Sequence, residues 1–288
     1  MKGIILAGGS GSRLYPLTRY VSKQLLPIYD KPMIYYPLAT LMTGGIKEIL
    51  IISDSKNIES YKRLFSDGSQ FGINLEYCVQ HEPKGIAEAF IIGENFIKND
   101  NVTLILGDNI FHGKNMKKLM SNSIKNTYEN KSVIIGHRVK DPERYGVAVI
   151  DKNNKVITIE EKPKKPKSDI AIVGLYFYTN DVIKIAKSLS PSQRGELEIT
   201  DINNQYIENK NMIINIMDEN FTWLDTGTFD SLYNASKFVK VMQEESNLKL
   251  GLIEEIAYLN HFINKKQLEK NLLNLSEDFK NYIKEKYL

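Results

Sequence analysis

Short apolar runs alternate with longer amphipathic segments over the first third of the chain. The apolar runs contain few polar residues, as expected for strands that are buried on both faces. These predicted strands are Lys2–Ala7, Glu48–Ser53, Leu75–Val79 and Val102–Leu106. The segments between them repeat apolar residues at helical spacing, and the predicted helices are Tyr35–Thr43, Asn57–Phe65 and Ile86–Ile97. This alternation predicts an α/β fold with a mixed, mostly parallel sheet flanked by helices.

The pattern changes in the middle of the chain, where four predicted strands follow one another closely. They are Ser132–His137, Gly146–Ile150, Val156–Ile159 and Ile170–Tyr178. The later predicted elements are a helix from Val182 to Leu189 after an Asn180 cap, a helix at Glu198–Glu208, a strand at Met212–Met217, and helices at Leu232–Met242, Ile253–Tyr258, Leu268–Leu275 and Phe279–Ile283. We expect one α/β domain over residues 1–250 and a small C-terminal helical cap over residues 251–288.

Composition and charge narrow the class of protein. The 288 residues include 38 basic and 35 acidic side chains, and the net charge of +3 is too small to favour nucleic acid or a membrane surface as a partner. No apolar stretch is long enough to span a bilayer. The single cysteine, Cys78, excludes an intrachain disulfide and suits a reducing compartment. We therefore expect a cytoplasmic protein with no nucleic acid and no membrane as partner.

The first strand runs directly into a glycine-rich loop from Gly8 to Arg13. Glycines let backbone N–H groups approach an anion closely, and Arg13 and Lys23 provide two cations suited to phosphate oxygens. A P-loop would need Lys and Ser or Thr after the last glycine, and the dinucleotide fingerprint would need a third glycine where Leu14 stands. The pattern favours a triphosphate-binding loop, although an ordinary strand–helix turn would also explain the glycines.

Polar residues near other strand ends indicate a base site and a metal site. Gln80 follows the Leu75–Val79 strand, and its amide can donate and accept hydrogen bonds together, as a pyrimidine edge requires. Asp108 follows the Val102–Leu106 strand, where a carboxylate is costly unless it meets a cation or donors. Mg²⁺ needs few protein carboxylates beside phosphate oxygens, and Asp225, in a predicted tight turn, is the second candidate ligand. Turn chemistry alone would also explain either aspartate.

Several longer segments resemble a known family. They are Gly3–Thr18, Ser22–Pro27, Asp141–Gly146, Glu160–Pro163, Val173–Gly174 and Arg194–Asp201. The first two resemble the signature of the sugar-nucleotide pyrophosphorylases, and the others narrow the resemblance to the glucose-1-phosphate thymidylyltransferases. It implies a Rossmann-like sheet of the nucleotide-diphospho-sugar transferase type. It also implies thymidylyl transfer from dTTP to α-D-glucose 1-phosphate with release of pyrophosphate, as a first step towards dTDP-deoxysugars such as dTDP-rhamnose.

The same resemblance implies roles for individual residues. Those implied in catalysis are Arg13, Lys23, Lys162 and Arg194. Those implied in nucleotide binding are Gly8, Gly9, Gly11, Ser12, Arg13, Lys23, Gln24, Gln80, Pro83, Gly85 and Asp108. Those implied in sugar binding are Asn109, Tyr145, Gly146, Glu161, Lys162, Val173 and Arg194. The implied cofactor is Mg²⁺, held by Asp108 and Asp225, and the implied assembly is a homotetramer.

Two other functions stay open from the residues alone. A uridylyl- or cytidylyltransferase would use the same loop and metal with a different base, and a catalytically inactive protein would bind nucleotide sugars for regulation. The sugar phosphate is an anionic nucleophile near neutral pH and needs no general base. We therefore expect Mg²⁺-assisted in-line attack on the α-phosphate, with dTTP and glucose 1-phosphate as the partners.

Overall fold

The computed structural model describes residues 1–9 and 11–288, so Ser10 of the glycine-rich loop lies outside the described residues. Thirteen strands lie in the described part: β1 (Lys2–Leu6), β2 (Pro27–Ile28), β3 (Lys31–Pro32), β4 (Glu48–Ser53), β5 (Asn74–Val79), β6 (Val102–Leu106), β7 (Asn109–Gly113), β8 (Ser132–Arg138), β9 (Gly146–Ile150), β10 (Val156–Glu161), β11 (Ile170–Tyr178), β12 (Met212–Ile216) and β13 (Phe221–Asp225).

Eleven α-helices lie in the same described part: α1 (Tyr35–Thr43), α2 (Ile58–Phe65), α3 (Glu88–Ile92), α4 (Glu94–Ile97), α5 (Met116–Tyr128), α6 (Val182–Ser188), α7 (Ile199–Glu208), α8 (Phe229–Ser246), α9 (Ile253–Leu259), α10 (Lys265–Leu272) and α11 (Glu277–Tyr287). Short 3₁₀ turns occur at Ser12–Leu14, Lys23–Leu25, Ser69–Phe71 and Pro142–Arg144.

A sheet that has nine strands among the described residues forms the centre of the fold. Its order is β10-β9-β11-β6-β1-β4-β5, with β8 paired to β11 and β12 paired to β8. The pairs β1–β4, β1–β6, β4–β5 and β8–β12 are parallel. Strand β11 is antiparallel to β6, β8 and β9, and β10 is antiparallel to β9, so these two strands run against the other seven. The predicted mixed, mostly parallel α/β sheet is confirmed.

Helices cover both faces of the sheet because its central strands are apolar on both sides. In β1, Ile5 joins a core that also contains residues of α1, α2, α5 and the C-terminal helices. The preceding residue, Ile4, joins the other core, with residues of α3, α6 and α7. Alternate residues of a strand point to opposite faces, so one strand contributes to both cores. Both side chains are fully buried.

Strand β11 is the junction between the two parts of the sheet. Its first part pairs with β8 and β9, its last part pairs with β6 and β8, and the register shifts between Ile172 and Tyr176. Within this irregular stretch, a Cβ at Gly174 would lie 2.7 Å from both Asn109 Oδ1 and Leu106 Cγ. The backbone of β11 therefore approaches the end of β6 closely, at the edge where the predicted site residues lie.

The C-terminal helices pack against the α/β core. Helix α9 contacts α1 and α10 contacts α9. Ile253, Leu268 and Ile283 belong to the same apolar core as α1. The expected C-terminal helices are present, and the domain boundary after residue 250 stays a prediction. Within the described residues, no helix combines the length and the apolar character that a membrane span needs.

The structure corrects several predicted elements. The helix predicted at Ile86–Ile97 is two short helices, α3 and α4, which meet at Gly93. Helix α6 begins after Asp181, and the predicted cap residue Asn180 instead donates its side-chain amide to two carbonyls before β6. Asp225 ends a strand and does not lie in a tight turn. Strands β2, β3, β7 and β13 and helix α5 were not predicted, since their short or polar patterns resemble loops.

One acidic side chain of α9 is buried at a cost. Glu254 is 5% exposed, and its Oε2 has no hydrogen-bond partner among the described residues. Burial raises the pKa of Glu254 to about 7, while a backbone hydrogen bond and the Lys31 charge act in the opposite direction. The folded protein therefore holds the Glu254 proton more tightly than the unfolded chain, and this stability is lost as the pH rises through about 7.

We predict that Glu254→Gln stabilises the protein above neutral pH. The variant removes the cost of a buried charge and should raise the free energy of unfolding by about 1–3 kcal/mol at pH 8. Well below pH 4.5, where Glu254 is protonated in both the folded and the unfolded state, the difference should disappear. Urea unfolding at several pH values checks this, with the exposed Glu269→Gln on α10 as control. A pH-independent difference would contradict the assignment.

Candidate active site

The predicted site residues converge on one edge of the sheet. The glycine-rich loop follows β1, Gln80 follows β5, and Asp108 follows β6. These strands are parallel and adjoin one another through β4 and β1, so their carboxyl ends meet at the same edge. Ligands bind at this edge in sheets of this kind. Three distant parts of the sequence therefore form a single surface.

The glycine-rich loop leaves β1 in a conformation that favours glycine. Gly9 has a φ of 99°, in the left-handed region that other residues rarely adopt. Thr18 Oγ1 donates to the Gly11 carbonyl at 2.7 Å and closes the loop on itself. Arg13 lies in the following 3₁₀ turn, and a Cβ at Gly227 would lie 3.0 Å from its Nη2. The loop thus places the Arg13 guanidinium beside the connection between β13 and α8.

The Asp108 carboxylate is paired with a cation of the loop segment. Lys23 Nζ donates to Asp108 Oδ2, and Asn109 Nδ2 donates to Asp108 Oδ1 at 2.9 Å. Burial raises the pKa of Asp108, but the Lys23 charge and the hydrogen bonds from Lys23 and Asn109 outweigh burial and hold the pKa below its ordinary value. The carboxylate is therefore charged at neutral pH.

A second carboxylate lies close to the first through the pairing of β7 and β13. Asp225 is the register partner of Asn109, which directly follows Asp108. Burial raises the pKa of Asp225, the Asp108 charge raises it further, and three nearby cations oppose both effects. One of these cations is Arg144, whose Nη2 donates to Asp225 Oδ2 at 3.2 Å. Asp225 therefore takes up a proton before Asp108 as the pH falls.

These two aspartates fit a divalent metal that is shared with a nucleotide. Mg²⁺ typically takes one or two protein carboxylates and completes its shell with phosphate oxygens and water. Among the described residues, no group of three or more His, Cys, Asp or Glu side chains forms a larger set of metal ligands. A pair of carboxylates suits such a shared ion, and the metal-binding role of Asp108 and Asp225 stays a prediction.

A cavity of about 210 Å³ lies next to the glycine-rich loop and is termed the nucleotide-side cavity. The predicted residues that line it are Gly8, Gly9, Lys23, Gln24, Gln80, Pro83, Gly85 and Asp108. Leu6, Ile86, Leu106 and Glu196 also line it and were not predicted. The predicted nucleotide-binding residues Gly11, Ser12 and Arg13 are not part of this lining.

A larger cavity of about 580 Å³ adjoins the first and is termed the sugar-side cavity. The predicted residues that line it are Arg13, Asp108, Asn109, Tyr145, Gly146, Glu161, Lys162, Arg194 and Asp225. Val173 is fully buried in the core, and its neighbour Gly174 lines the cavity instead. The two cavities share four lining residues: Ile86, Leu106, Asp108 and Glu196.

Acidic side chains hold the predicted phosphate-binding arginine of the sugar-side cavity. Arg194 donates from Nε to Glu198 Oε1 at 3.1 Å and from Nη2 to Glu198 Oε2 at 2.7 Å. The same Nη2 lies 3.5 Å from Glu161 Oε1, and Lys162 Nζ lies 3.6 Å from that oxygen. Thr200 Oγ1 donates to Glu161 Oε2 at 2.6 Å. The cavity wall therefore pairs two cations with a carboxylate that can also accept from sugar hydroxyls.

Two of the predicted residues are engaged within the protein itself. Asn109 Oδ1 accepts from Trp223 Nε1 at 2.6 Å and from the Gly174 N–H at 3.1 Å. Asn109 lies in β7, so these two bonds tie β7 to β13 and β11. Its Nδ2 donates to Asp108, so the same amide also holds the carboxylate. Tyr145 packs edge-on against Trp223 with ring centroids 5.0 Å apart. The sugar-binding roles of Asn109 and Tyr145 stay predictions.

The two cavities are joined through backbone hydrogen bonds around Leu197. The Leu197 N–H donates to the Lys84 carbonyl at 2.7 Å, and the Ala87 N–H donates to the Leu197 carbonyl at 3.2 Å. Gly85 lies between these contacts with a φ of 106°, and a Cβ there would lie 2.4 Å from the Leu197 carbonyl oxygen. Only glycine therefore allows the nucleotide-side loop to lie this close to the segment that carries Arg194.

Comparison with known proteins identifies the family. The profile of the family described as "Nucleotidyl transferase" matches residues 2–241. The chain belongs to this family. A glucose-1-phosphate thymidylyltransferase of Neisseria gonorrhoeae is 52% identical over 277 residues, which cover 96% of each chain. A protein of the same name from Mycolicibacterium smegmatis is 50% identical over 268 residues, or 93% of this chain and 92% of the relative.

Solved structures of nucleotidyl transferases share the fold. A glucose-1-phosphate thymidylyltransferase structure from Bacillus anthracis, in complex with sucrose, is 42% identical and superposes with a TM-score of 0.76, covering 83% of this chain and 94% of that chain. A UDP-glucose pyrophosphorylase in complex with UDP-glucose is 24% identical, with a TM-score of 0.74 over 83% of this chain and 98% of that chain. Because the sequence identity to the UDP-glucose pyrophosphorylase is only 24%, this similarity shows a shared fold and nothing further.

Several lining residues were missed by the sequence analysis, although most lay in segments that resemble the family. Arg144 and Glu196 lie within the matched segments Asp141–Gly146 and Arg194–Asp201. Trp223 begins the run that ends at Asp225, and its indole N–H holds Asn109. Tyr176 and Ile172 also line the sugar-side cavity. Their apolar strand pattern predicted burial and gave no signal of a binding role.

We predict that Gly85→Ala weakens nucleoside triphosphate binding by at least about tenfold, because the loop must move away from Leu197. Gly45→Ala is the matched control, since Gly45 also has a positive φ, of 82°, but nothing lies within 4 Å of a Cβ there. Both variants should lose stability through backbone strain, and only Gly85→Ala should lose affinity. Calorimetric titration checks this, and equal affinities would contradict the role of the Leu197 contact.

Proposed function

We propose that the chain is a glucose-1-phosphate thymidylyltransferase, which transfers the thymidylyl group of dTTP to α-D-glucose 1-phosphate and so gives dTDP-glucose and pyrophosphate. The observation that carries the proposal is the pair of adjoining cavities that share Asp108. Amide side chains suited to a pyrimidine line one cavity, and Lys162 and Arg194 line the other. A reaction between a nucleoside triphosphate and a sugar phosphate needs this arrangement, because the reacting phosphates must meet where the two sites join.

The relatives support the choice of substrates. The proteins of Neisseria gonorrhoeae and Mycolicibacterium smegmatis that bear this enzyme name match the chain over more than nine tenths of its length. The Lys23–Asp108 pair, the Asp225 carboxylate and the lining residues Lys162 and Arg194 provide the charges that the reaction requires. These features favour an active enzyme over an inactive nucleotide-sugar-binding protein.

The reaction is a displacement at the α-phosphorus of the nucleotide. An oxygen of the sugar phosphate forms a bond to the α-phosphorus, the bond to the oxygen bridging to the β-phosphate breaks, and pyrophosphate leaves with the electron pair. The nucleophile is already an anion, so alignment and charge neutralisation are the main requirements. We propose that Arg13 and Lys23 neutralise the triphosphate and that Lys162 and Arg194 hold the attacking phosphate.

We assign Asp108 and Asp225 as ligands of the proposed Mg²⁺ cofactor. When bound, Mg²⁺ neutralises phosphate oxygens and orients the α-phosphate for attack. Asp108 pairs with Lys23 in this structure, and a bound Mg²⁺ would supply a further positive charge beside the same carboxylate. The family resemblance further leads us to propose a cytoplasmic homotetramer, which sedimentation velocity and cell fractionation would test.

The proposed function is tested by pyrophosphate release from dTTP, UTP, CTP and ATP, each with glucose 1-phosphate and Mg²⁺. We expect dTTP to be preferred and UTP to be a weaker substrate, because the missing methyl group changes binding by only about 1–3 kcal/mol. Reactions without sugar phosphate are the control. A preference for UTP or CTP would indicate a different nucleotidyltransferase, and no release with any triphosphate would contradict an enzymatic function.

We predict that Asp108→Asn retains the fold and lowers kcat by at least about a hundredfold, because one metal ligand and the partner of Lys23 are lost. The Mg²⁺ concentration required for half-maximal activity should rise as well. The exposed Asp230→Asn, on α8 and five positions after Asp225 in the sequence, is the matched control and should behave like the wild type. Circular dichroism checks the fold, and near-normal Mg²⁺-dependent turnover in folded Asp108→Asn would contradict the assignment.

A further inference from the structure

Two side-chain amides border Gly8 in the nucleotide-side cavity. Gln24 Nε2 lies 3.5 Å from the Gly8 carbonyl oxygen, and a Cβ at Gly8 would lie 2.6 Å from Gln80 Oε1. Gln24 is 3% exposed and Gln80 is 6% exposed, so both are held firmly by their surroundings. An amide presents a donor at one end and an acceptor at the other, and its orientation decides which end meets a ligand.

The orientation of Gln80 is set by a carboxylate. Gln80 Nε2 donates to Glu88 Oε2 at 2.7 Å, at the start of α3. A carboxylate accepts hydrogen bonds and cannot donate them when ionised, so only the NH₂ end of Gln80 can face Glu88. The carbonyl end, Oε1, is therefore turned towards Gly8 and the cavity. Among the described residues, no donor is bonded to this oxygen.

The orientation of Gln24 is set by a buried hydroxyl relay. The Tyr61 hydroxyl donates to Ser22 Oγ at 2.8 Å, and Ser22 Oγ donates to Gln24 Oε1 at 2.7 Å. Tyr61 is fully buried and Ser22 is 6% exposed. Turning the Gln24 amide over would also place its oxygen against the Gly8 carbonyl oxygen, which is unfavourable. The relay therefore leaves the NH₂ end of Gln24 at the cavity.

The geometry points to Glu88 and the Tyr61–Ser22 relay as positioning residues that select the base, an inference that rests on the proposed nucleotide site. They hold an acceptor, Gln80 Oε1, and a donor, Gln24 Nε2, side by side at the base. Thymine and uracil present a ring N–H between two carbonyl oxygens, which matches an acceptor beside a donor. Cytosine held in the position of thymine presents its ring nitrogen, an acceptor, where thymine presents the ring N–H, so two acceptors would face each other at Gln80 Oε1.

This selectivity lies in residues that do not line the cavity. Neither Glu88 nor Ser22 nor Tyr61 belongs to the lining of the nucleotide-side cavity. Glu88 fixes the orientation of the Gln80 amide, and the Tyr61–Ser22 relay fixes that of the Gln24 amide. An inverted amide would leave buried polar groups unpaired. With freely turning amides, Gln24 and Gln80 could bind thymine or cytosine. Their neighbours fix the amides and thereby decide which of these two bases binds.

The test is the affinity of the chain for dTTP and dCTP, measured by calorimetry without sugar phosphate. We expect the wild type to favour dTTP by at least about a hundredfold, since sites that hydrogen-bond a ligand reject analogues with unmatched groups. Glu88→Gln replaces the carboxylate by an amide that can also donate, and Gln80 can then turn over. The ratio of affinities should fall by at least about tenfold, mainly through tighter binding of dCTP. Ser22→Ala should lower the ratio in the same direction.

A double variant that exchanges the two side chains should restore the selectivity for dTTP. In Gln80→Glu combined with Glu88→Gln, the carboxylate at position 80 has only acceptor oxygens to offer the base. The amide at position 88 donates to this carboxylate, so the preference for dTTP should return. Glu76→Gln, an exposed position of β5, is the control and should leave the ratio unchanged. An unchanged ratio in Glu88→Gln, or equal losses for both nucleotides, would overturn the inference. Failure of the wild type to release pyrophosphate from dTTP would instead contradict the proposed function, because the binding measurement does not depend on turnover.

Discussion

The pairing of the Asp108 carboxylate with Lys23 is the interaction on which the rest of the site depends. A buried carboxylate at a strand end is costly unless a cation and donors meet it. Lys23 supplies the charge, and Asn109 supplies a hydrogen bond to the other oxygen. The same Asn109 accepts from Trp223 and Gly174, so the residue that stabilises the half-buried Asp108 charge also fixes β7, β11 and β13 around the site. Asp225 is placed beside Asp108 as a consequence.

The irregularity of strand β11 helps to explain how one sheet would serve the two proposed substrates. The register shift between Ile172 and Tyr176 interrupts the ladder between β11 and β8. Within this stretch the Gly174 N–H donates to Asn109 Oδ1, next to Asp108. The Leu197 hydrogen bonds then tie the nucleotide-side loop to the segment of Arg194. The two cavities are thus coupled through the backbone as well as through shared side chains.

The ion pairs on the sugar side would prepare the site for the proposed sugar phosphate. Arg194 is held by Glu198 and lies close to Glu161 and Glu196, so its guanidinium is oriented before any phosphate arrives. The Glu198 hydrogen bonds, the largest cause, raise the pKa of Arg194 and keep it charged. An incoming phosphate must compete with these carboxylates, which costs some affinity. In return, a preoriented cation needs little reorganisation during the reaction.

The sequence alone predicted the α/β sheet, its central strands and most of the cavity lining, because period and motif are local properties of the chain. It could not predict the pairing of Lys23 with Asp108, 85 residues apart, or the role of Glu88 behind Gln80. The α3–α4 break at Gly93 and the strand that places Asp225 were also missed. These features depend on which strands adjoin and how closely they pack, and only the tertiary structure decides that.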